Sequence, residues 1–176
     1  MTTYIVFLRG INVGAHNRMK MTDLRALFES LNYENVQTYI QSGNVVFETD
    51  VNKETIRSDV SDAIADTFGY DIAVMVRTSA ELADVVDNQP FDEPDNDFIK
   101  RYVTFLNEEP TDKQREKLLD AQSEAESFEI RGRNVYSQLN KAKLGDGRFT
   151  DTGKKLGMPV TRRAWNVVTA VLELQD

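Results

Sequence analysis

Cysteine is absent from these 176 residues and histidine occurs once, as His16. The first absence removes disulfides, thiol nucleophiles and thiolate metal sites, and the second removes any His-rich metal centre. No segment approaches the ~18 consecutive apolar residues of a membrane span. The opening Met1-Thr2-Thr3-Tyr4-Ile5-Val6 also lacks the basic region and cleavage site of a secretory signal. The expectation is a cytoplasmic protein without membrane association. Nor does any nucleophile, base and orienting group stand together as a recognisable catalytic set. The Walker A pattern is missing: its nearest look-alike, Gly147 to Gly153-Lys154-Lys155, has five intervening residues and no hydroxyl. Asp92-Glu93-Pro94-Asp95 lacks the ligand spacing of a calcium loop. No metal and no cofactor are expected.

What is present is an ordinary globular composition, 40% apolar and 28% charged, with a net charge of −8. About 70 apolar residues suffice for a core in one domain or two small ones. The charge is unevenly spread. Residues 1–21 hold Arg9, Arg18 and Lys20 and no acid, residues 131–163 hold nine basic residues against Asp146 and Asp151, and the stretch between is strongly acidic. Two basic segments brought together on an acidic background would favour a small phosphate or carboxylate over a long nucleic acid.

Tyr4-Ile5-Val6-Phe7-Leu8 reads as a buried strand leading into a Gly-punctuated loop, Arg9–Met21. Thr22 is placed to cap a helix whose Leu24, Leu27, Phe28 and Leu31 make one apolar stripe. Two extended runs, Val36–Gln41 and Asn44–Glu48, surround Ser42-Gly43. Ile56, Val60, Ile64 and Phe68 mark a second helix ending at Gly69, and Ile72–Arg77 is a further strand. The order β-α-β-β-α-β is that of a ferredoxin-like, split βαβ unit. Thr78 and Ser79 can start a short helix with Leu82, Val85 and Val86 inward. Beyond it the pattern partly returns: Tyr102–Leu106 echoes Tyr4–Leu8 at an offset of 98, Asn134-Val135 echoes Asn44-Val45, and Thr111-Asp112 echoes Thr22-Asp23. The fold class expected is α+β: two ferredoxin-like subdomains from a degenerate internal duplication, with a C-terminal helix. The boundaries are residues 1–86, an acidic linker 87–98, and residues 99–176. Only the first half has a long loop between its first strand and first helix, and such inserted loops tend to be functional.

Thr161 reads as the N-cap of the last helix, with Ala164, Trp165, Val168, Val171 and Leu172 on its apolar stripe. Arg162 and Arg163 would then occupy its first turn, where the helix dipole disfavours cations by about 0.3–1 kcal/mol each. An anion there would meet N–H groups and a guanidinium fork. The competing reading pairs each Arg with a carboxylate as a clamp between subdomains.

Three segments carry a resemblance: Arg9-Gly10-Ile11-Asn12-Val13-Gly14, Tyr39-Ile40-Gln41-Ser42-Gly43-Asn44-Val45-Val46-Phe47, and Thr161–Thr169 around Trp165-Asn166. Together they resemble the bacterial domain of unknown function numbered 1697. The resemblance implies a two-lobed α+β protein of ferredoxin-like character and no established activity. Ala15 and His16 stand where that family commonly has Gly and Lys, and Arg162, Ala164 and Val167 where it commonly has Thr, Asn and Thr.

The leading expectation is a site for a small phosphorylated ligand between the halves, built from Arg9, Asn12, Lys20, Gln41, Asn44 and Arg163. Gly10, Gly14, Asn17, Ser42, Gly43, Arg162 and Asn166 complete the candidate set. Gly and Asn in these motifs equally serve left-handed turns. Two alternatives stand beside it. One is single-stranded nucleic-acid binding by sheet aromatics such as Tyr4, Phe7 and Phe47. The other is a purely structural or protein-interaction role.

Overall fold

The computed structural model describes residues 1–92, 96–145 and 147–174. Glu93, Pro94 and Asp95 of the acidic stretch, Asp146 of the second basic segment, and residues 175–176 lie outside them. Residues 1–84 together with the chain end from Ala170 form one compact unit, and Val85–Thr169 form another.

The first unit runs β1 (Thr2–Leu8), α1 (Met21–Ser30), β2 (Glu34–Tyr39), β3 (Asn44–Thr49), α2 (Lys53–Phe68), β4 (Val74–Thr78) and α3 (Ser79–Asp87), whose last residues enter the second unit. Its antiparallel sheet has the order β2-β3-β1-β4. Alternation along the strands decides the two faces. Tyr4, Val6, Leu8, Val45, Phe47, Val74 and Val76 join Leu24, Leu27 and Phe28 of α1 and Ile56, Val60 and Ile64 of α2 in one core. Phe47 binds this layer together, with its ring centroid 5.3 Å from Phe28 and 4.6 Å from Tyr33. Burying each of these rings contributes on the order of 2–3 kcal/mol. The opposite face carries Ile5, Phe7, Val46, Met75 and Arg77, all at 3% exposure or less.

Asn52 caps α2 by accepting the Thr55 N–H, and Gly69 closes it with φ +74°. The start of α1 differs from the expectation. Thr22 is a first-turn residue, and the preceding position is Lys20, whose side chain makes no capping bond. The helix begins earlier because the Asp23 and Leu24 N–H groups both donate to the Lys20 carbonyl, at 3.1 and 3.0 Å. At α3, Thr78 Oγ1 accepts the Glu81 N–H while Glu81 Oε1 accepts the Thr78 N–H, a reciprocal cap.

The second unit contains β5 (Ile99–Leu106), α4 (Asp112–Leu119), β6 (Glu126–Arg131), β7 (Asn134–Asn140), α5 (Lys141–Leu144), α6 (Thr152–Leu156), β8 (Val160–Ala164) and the start of α7 (Trp165–Glu173). Its sheet order is β6-β7-β5-β8. Thr111 and Gln114 form a capping box at α4. Leu118 and Leu156 cover Leu106, Phe128 and Val135 of the sheet. Two short helices stand where the first unit has the 16-residue α2.

The two sheets are thus antiparallel and four-stranded within a mixed α+β fold. Among the described residues no helix is long and apolar enough to cross a membrane.

Candidate functional site

The candidate residues divide between the units. Arg9, Gly10, Asn12, Gly14, Asn17, Lys20, Gln41, Ser42, Gly43 and Asn44 belong to the first, and Arg162, Arg163 and Asn166 to the second.

In the first unit, most motif residues are engaged in building the loop 9–20. Asn12 is its hub. With φ +54° its side chain turns back, accepting the Met19 N–H at 2.8 Å and donating to the Met19 and Gln41 carbonyls at 3.0 and 2.9 Å. The Asn12 N–H itself reaches the Asn17 carbonyl, and Asn17, also at positive φ, donates from Nδ2 to the Gly10 carbonyl at 3.1 Å. A short polar side chain that tolerates left-handed backbone and carries both a donor and an acceptor is what such a hub requires.

The second motif forms the β2–β3 connection. Asn44, wholly buried, donates from Nδ2 to the Tyr39 carbonyl and to Ser42 Oγ, both at 2.9 Å. Gly43 accepts the Leu8 N–H through its carbonyl at 2.9 Å. A Cβ on Gly43 would lie 2.8 Å from both Ile11 Cδ1 and Leu8 Cβ, at φ +86°, so only glycine lets the hairpin close on the loop.

This framework presents charge at its rim. A cleft of about 440 Å³ is lined by Arg18, Met19, Lys20, Asp23, Gln41 and Phe68. Its apolar lining is Met19, which is buried, and Phe68, whose ring stacks 5.9 Å from that of Tyr70. Tyr70 in turn donates its hydroxyl to the Arg18 carbonyl at 2.7 Å. Arg18, Lys20 and Arg9 are exposed, and among the described residues none of the three forms an ion pair. Lys20 and Gln41 are the expected residues that share this cleft. Arg18 and Phe68 join them although the sequence reading gave Arg18 only a place in the charge balance and Phe68 only one on a helix stripe. Gly14 and His16 lie at the exposed tip of the loop.

The second-unit residues require a correction. Thr161 caps no helix, because Val160–Ala164 is a strand and α7 starts only at Trp165. Thr161, Arg162 and Arg163 pair with Phe105, Thr104 and Val103, and this pairing with β5 prevails over the capping preference of a threonine. Arg162 and Arg163 therefore point to opposite faces and form no fork over a helix end. Arg163 is buried at 6% exposure, with Nη1 donating to Thr161 Oγ1 at 2.7 Å and to the Arg162 carbonyl at 3.0 Å. Burial pulls its pKa down to about 10. Arg162 is exposed, with its guanidinium 4.3 Å from the Tyr102 ring centroid. Asn166 is exposed on α7, and Trp165 is half-buried beneath the Arg101 guanidinium at 5.5 Å.

The sheet aromatics on which the nucleic-acid alternative rested are closed off. Tyr4, Phe7 and Phe47 are buried, at 8% exposure or less, and offer no ring face to a base.

A solved structure of a conserved bacterial protein, SP0830 of Streptococcus pneumoniae, is similar to this chain with a TM-score of 0.75 and 17% identity, covering 99% of each chain. At that identity the likeness concerns the fold. A search of curated proteins finds no match. The model of the family described as protein of unknown function DUF1697 matches residues 1–136, a span that includes the first two motifs and stops short of Thr161–Thr169. The chain belongs to the DUF1697 family.

Proposed function

We propose that this protein binds a small phosphorylated molecule at the cleft beside the loop 9–20. The observation that carries the reading is the pair of exposed cations, Arg18 and Lys20, at the rim of a cleft with Met19 and Phe68 in its lining. A volume of about 440 Å³ lies in the range of small-molecule sites. Cations without carboxylate partners keep their charge available to a ligand anion, and the Gln41 side chain adds a donor. Asp23, the one acid of the cleft among the described residues, sets a limit on how much negative charge is welcome. The motif residues Asn12, Gly43 and Asn44 take part through the framework that holds those cations.

Ferredoxin-like duplication is the corresponding reading of the fold. Its support is the equivalence of registers: Ile5 faces Arg77 as Val103 faces Arg163, and Phe7 faces Asn44 as Phe105 faces Asn134. Arg77 and Arg163 each donate from Nη1 to the carbonyl of the preceding residue.

The test is a thermal-shift and calorimetric series with inorganic phosphate, nucleotides and sugar phosphates, repeated with Lys20→Ala and Arg18→Ala. A ligand at 100 times its Kd stabilises the folded state by about 2.7 kcal/mol. At about 2–4 °C per kcal/mol this raises the melting temperature by roughly 5–11 °C. We expect such a rise in the parent chain, weakened in both variants and by added salt. Silence of every phosphorylated compound at millimolar concentration overturns the reading.

A further inference from the structure

A second polar cavity lies entirely within the second unit. β5 and β8 place Thr104 directly opposite Arg162, and Leu106 opposite Val160. Leu106 is covered by the α4–α6 core, while at Thr104 and Arg162 the chain from Phe149 to Thr152 borders a cavity of about 300 Å³. Glu126, itself buried, holds that segment by accepting the Thr150 N–H on Oε1 at 2.7 Å.

Two groups of the lining, Arg162 and Asp151, point to a ligand, and a third residue, Thr104, closes the cavity behind them. Thr104 is 1% exposed, and its Oγ1 has no hydrogen-bond partner among the described residues. That hydroxyl is sealed behind the lining and makes the wall of the cavity polar without meeting its contents. Arg162 borders the same cavity with its guanidinium stacked on Tyr102, and it takes part in no ion pair among the described residues. The ring fixes the plane of the guanidinium and leaves its N–H edge for an oxyanion. Asp151 brings a carboxylate to the same lining. Its Oδ1 accepts the Lys154 N–H at 3.1 Å, and Asp151 and Arg162 do not pair with each other.

We infer that this cavity binds a small carboxylate bearing a hydrogen-bond donor next to the acid, the chemistry shared by hydroxy acids and amino acids. The ligand carboxylate lies on Arg162, and its hydroxyl or ammonium group is received by the Asp151 carboxylate. The site uses no residue of the cleft beside the loop 9–20, so either can fail without the other.

The experiment is two-dimensional amide NMR on the full chain, titrated with glycerate, serine, acetate and inorganic phosphate, in the parent, Arg162→Gln, Thr104→Val and Lys20→Ala. Glycerate or serine is expected to shift amides around 104, 149–152 and 162, with a Kd of about 10 mM or tighter. Arg162→Gln is expected to weaken binding about tenfold or more, while Thr104→Val, which changes only a group sealed behind the lining, is expected to leave it within about twofold, with both variants giving a folded spectrum. Lys20→Ala should leave it unchanged. Absence of local shifts at about 50 mM glycerate and serine overturns the inference, as does binding retained in Arg162→Gln. Acetate or phosphate shifting the amides around 104, 149–152 and 162 as tightly as glycerate and serine do overturns the assignment of a donor-bearing ligand. Glycerate and serine, compared with each other, separate the hydroxy-acid from the amino-acid source.

Discussion

Replacing Asn12 tests whether the first motif is a framework. Asn12→Ala removes three side-chain hydrogen bonds, of 2.8, 2.9 and 3.0 Å, and leaves alanine at φ +54°. Each such bond contributes about 0.5–1.5 kcal/mol net, and the half-buried position puts the sum near 2 kcal/mol. Holding alanine in left-handed backbone costs about 1 kcal/mol more. The total, about 3 kcal/mol, corresponds to a fall of roughly 6–12 °C in the melting temperature for a chain of this size. Asn12→Gly loses the bonds but not the backbone fit, and should be milder by about 1 kcal/mol. Urea unfolding followed by circular dichroism measures both losses. Hydrogen exchange at the Met19 amide, which donates to Asn12 Oδ1, reads the loop directly. A loss below about 1 kcal/mol in Asn12→Ala would refute the hub. Equal losses in the two variants would refute the share assigned to left-handed backbone.

Three further pairs of substitutions test the same geometry. Gly43→Ala should cost about 2–4 kcal/mol in urea unfolding because its Cβ meets Ile11 and Leu8, whereas Gly14→Ala, also at positive φ but with open space, should cost about 1 kcal/mol. Thr111→Ala should lose about 1 kcal/mol of stability with its capping box, while Thr22→Ala, which caps nothing, should change stability by less than about 0.5 kcal/mol; equal effects would contradict the assigned helix starts. Arg163→Ala should cost about 2–4 kcal/mol, because Thr161 Oγ1 and the Arg162 carbonyl lose a charged donor, and Arg163→Lys should fail to restore it, as one ammonium does not reproduce the guanidinium geometry.

Tyr33 provides a pH test. Its hydroxyl is buried without a hydrogen-bond partner among the described residues, and burial, with the nearby Asp59 charge, raises its pKa from 10.0 to about 12. The folded state therefore holds the proton more tightly than the unfolded one. The resulting stability is fully present below pH 10 and is lost as pH rises toward 12. Tyr33→Phe should gain about 1 kcal/mol at pH 7 by deleting an unmatched hydroxyl. It should also flatten the stability decline between pH 10 and 11.5 relative to the parent. A variant that declines as steeply as the parent would remove Tyr33 from the account.

What the sequence determined by itself is the set of elements whose signal is local. The stripes Leu24-Leu27-Phe28 and Ile56-Val60-Ile64, the Gly69 stop and the Thr111 cap are written within single turns of helix, where spacing of 3.6 residues is enough. The echo of Tyr4–Leu8 in Tyr102–Leu106 was legible in the same way, and the two strands hold like places in their sheets. The candidate motifs were legible as clusters of Gly and Asn, but not their employment: Asn12 and Asn44 turn inward as hydrogen-bonding hubs, and the cations free to meet a ligand include Arg18, which no motif marked. Tertiary structure alone decided the residues after Val160. Thr161-Arg162-Arg163 carries a capping signal worth about 1 kcal/mol, and ladder bonds and cross-strand packing against β5, where Phe105 opposite Thr161 lies 56 positions earlier, outweigh it. That pairing puts one arginine in the interior and its neighbour at the rim of a cavity with Thr104, a juxtaposition of residues 58 positions apart that no local pattern contains. Short-range preferences set most of the helices and strands, with Val160–Ala164 the exception that pairing with β5 decided; contacts distant in sequence set which side chains face one another, and both proposed sites depend on the second.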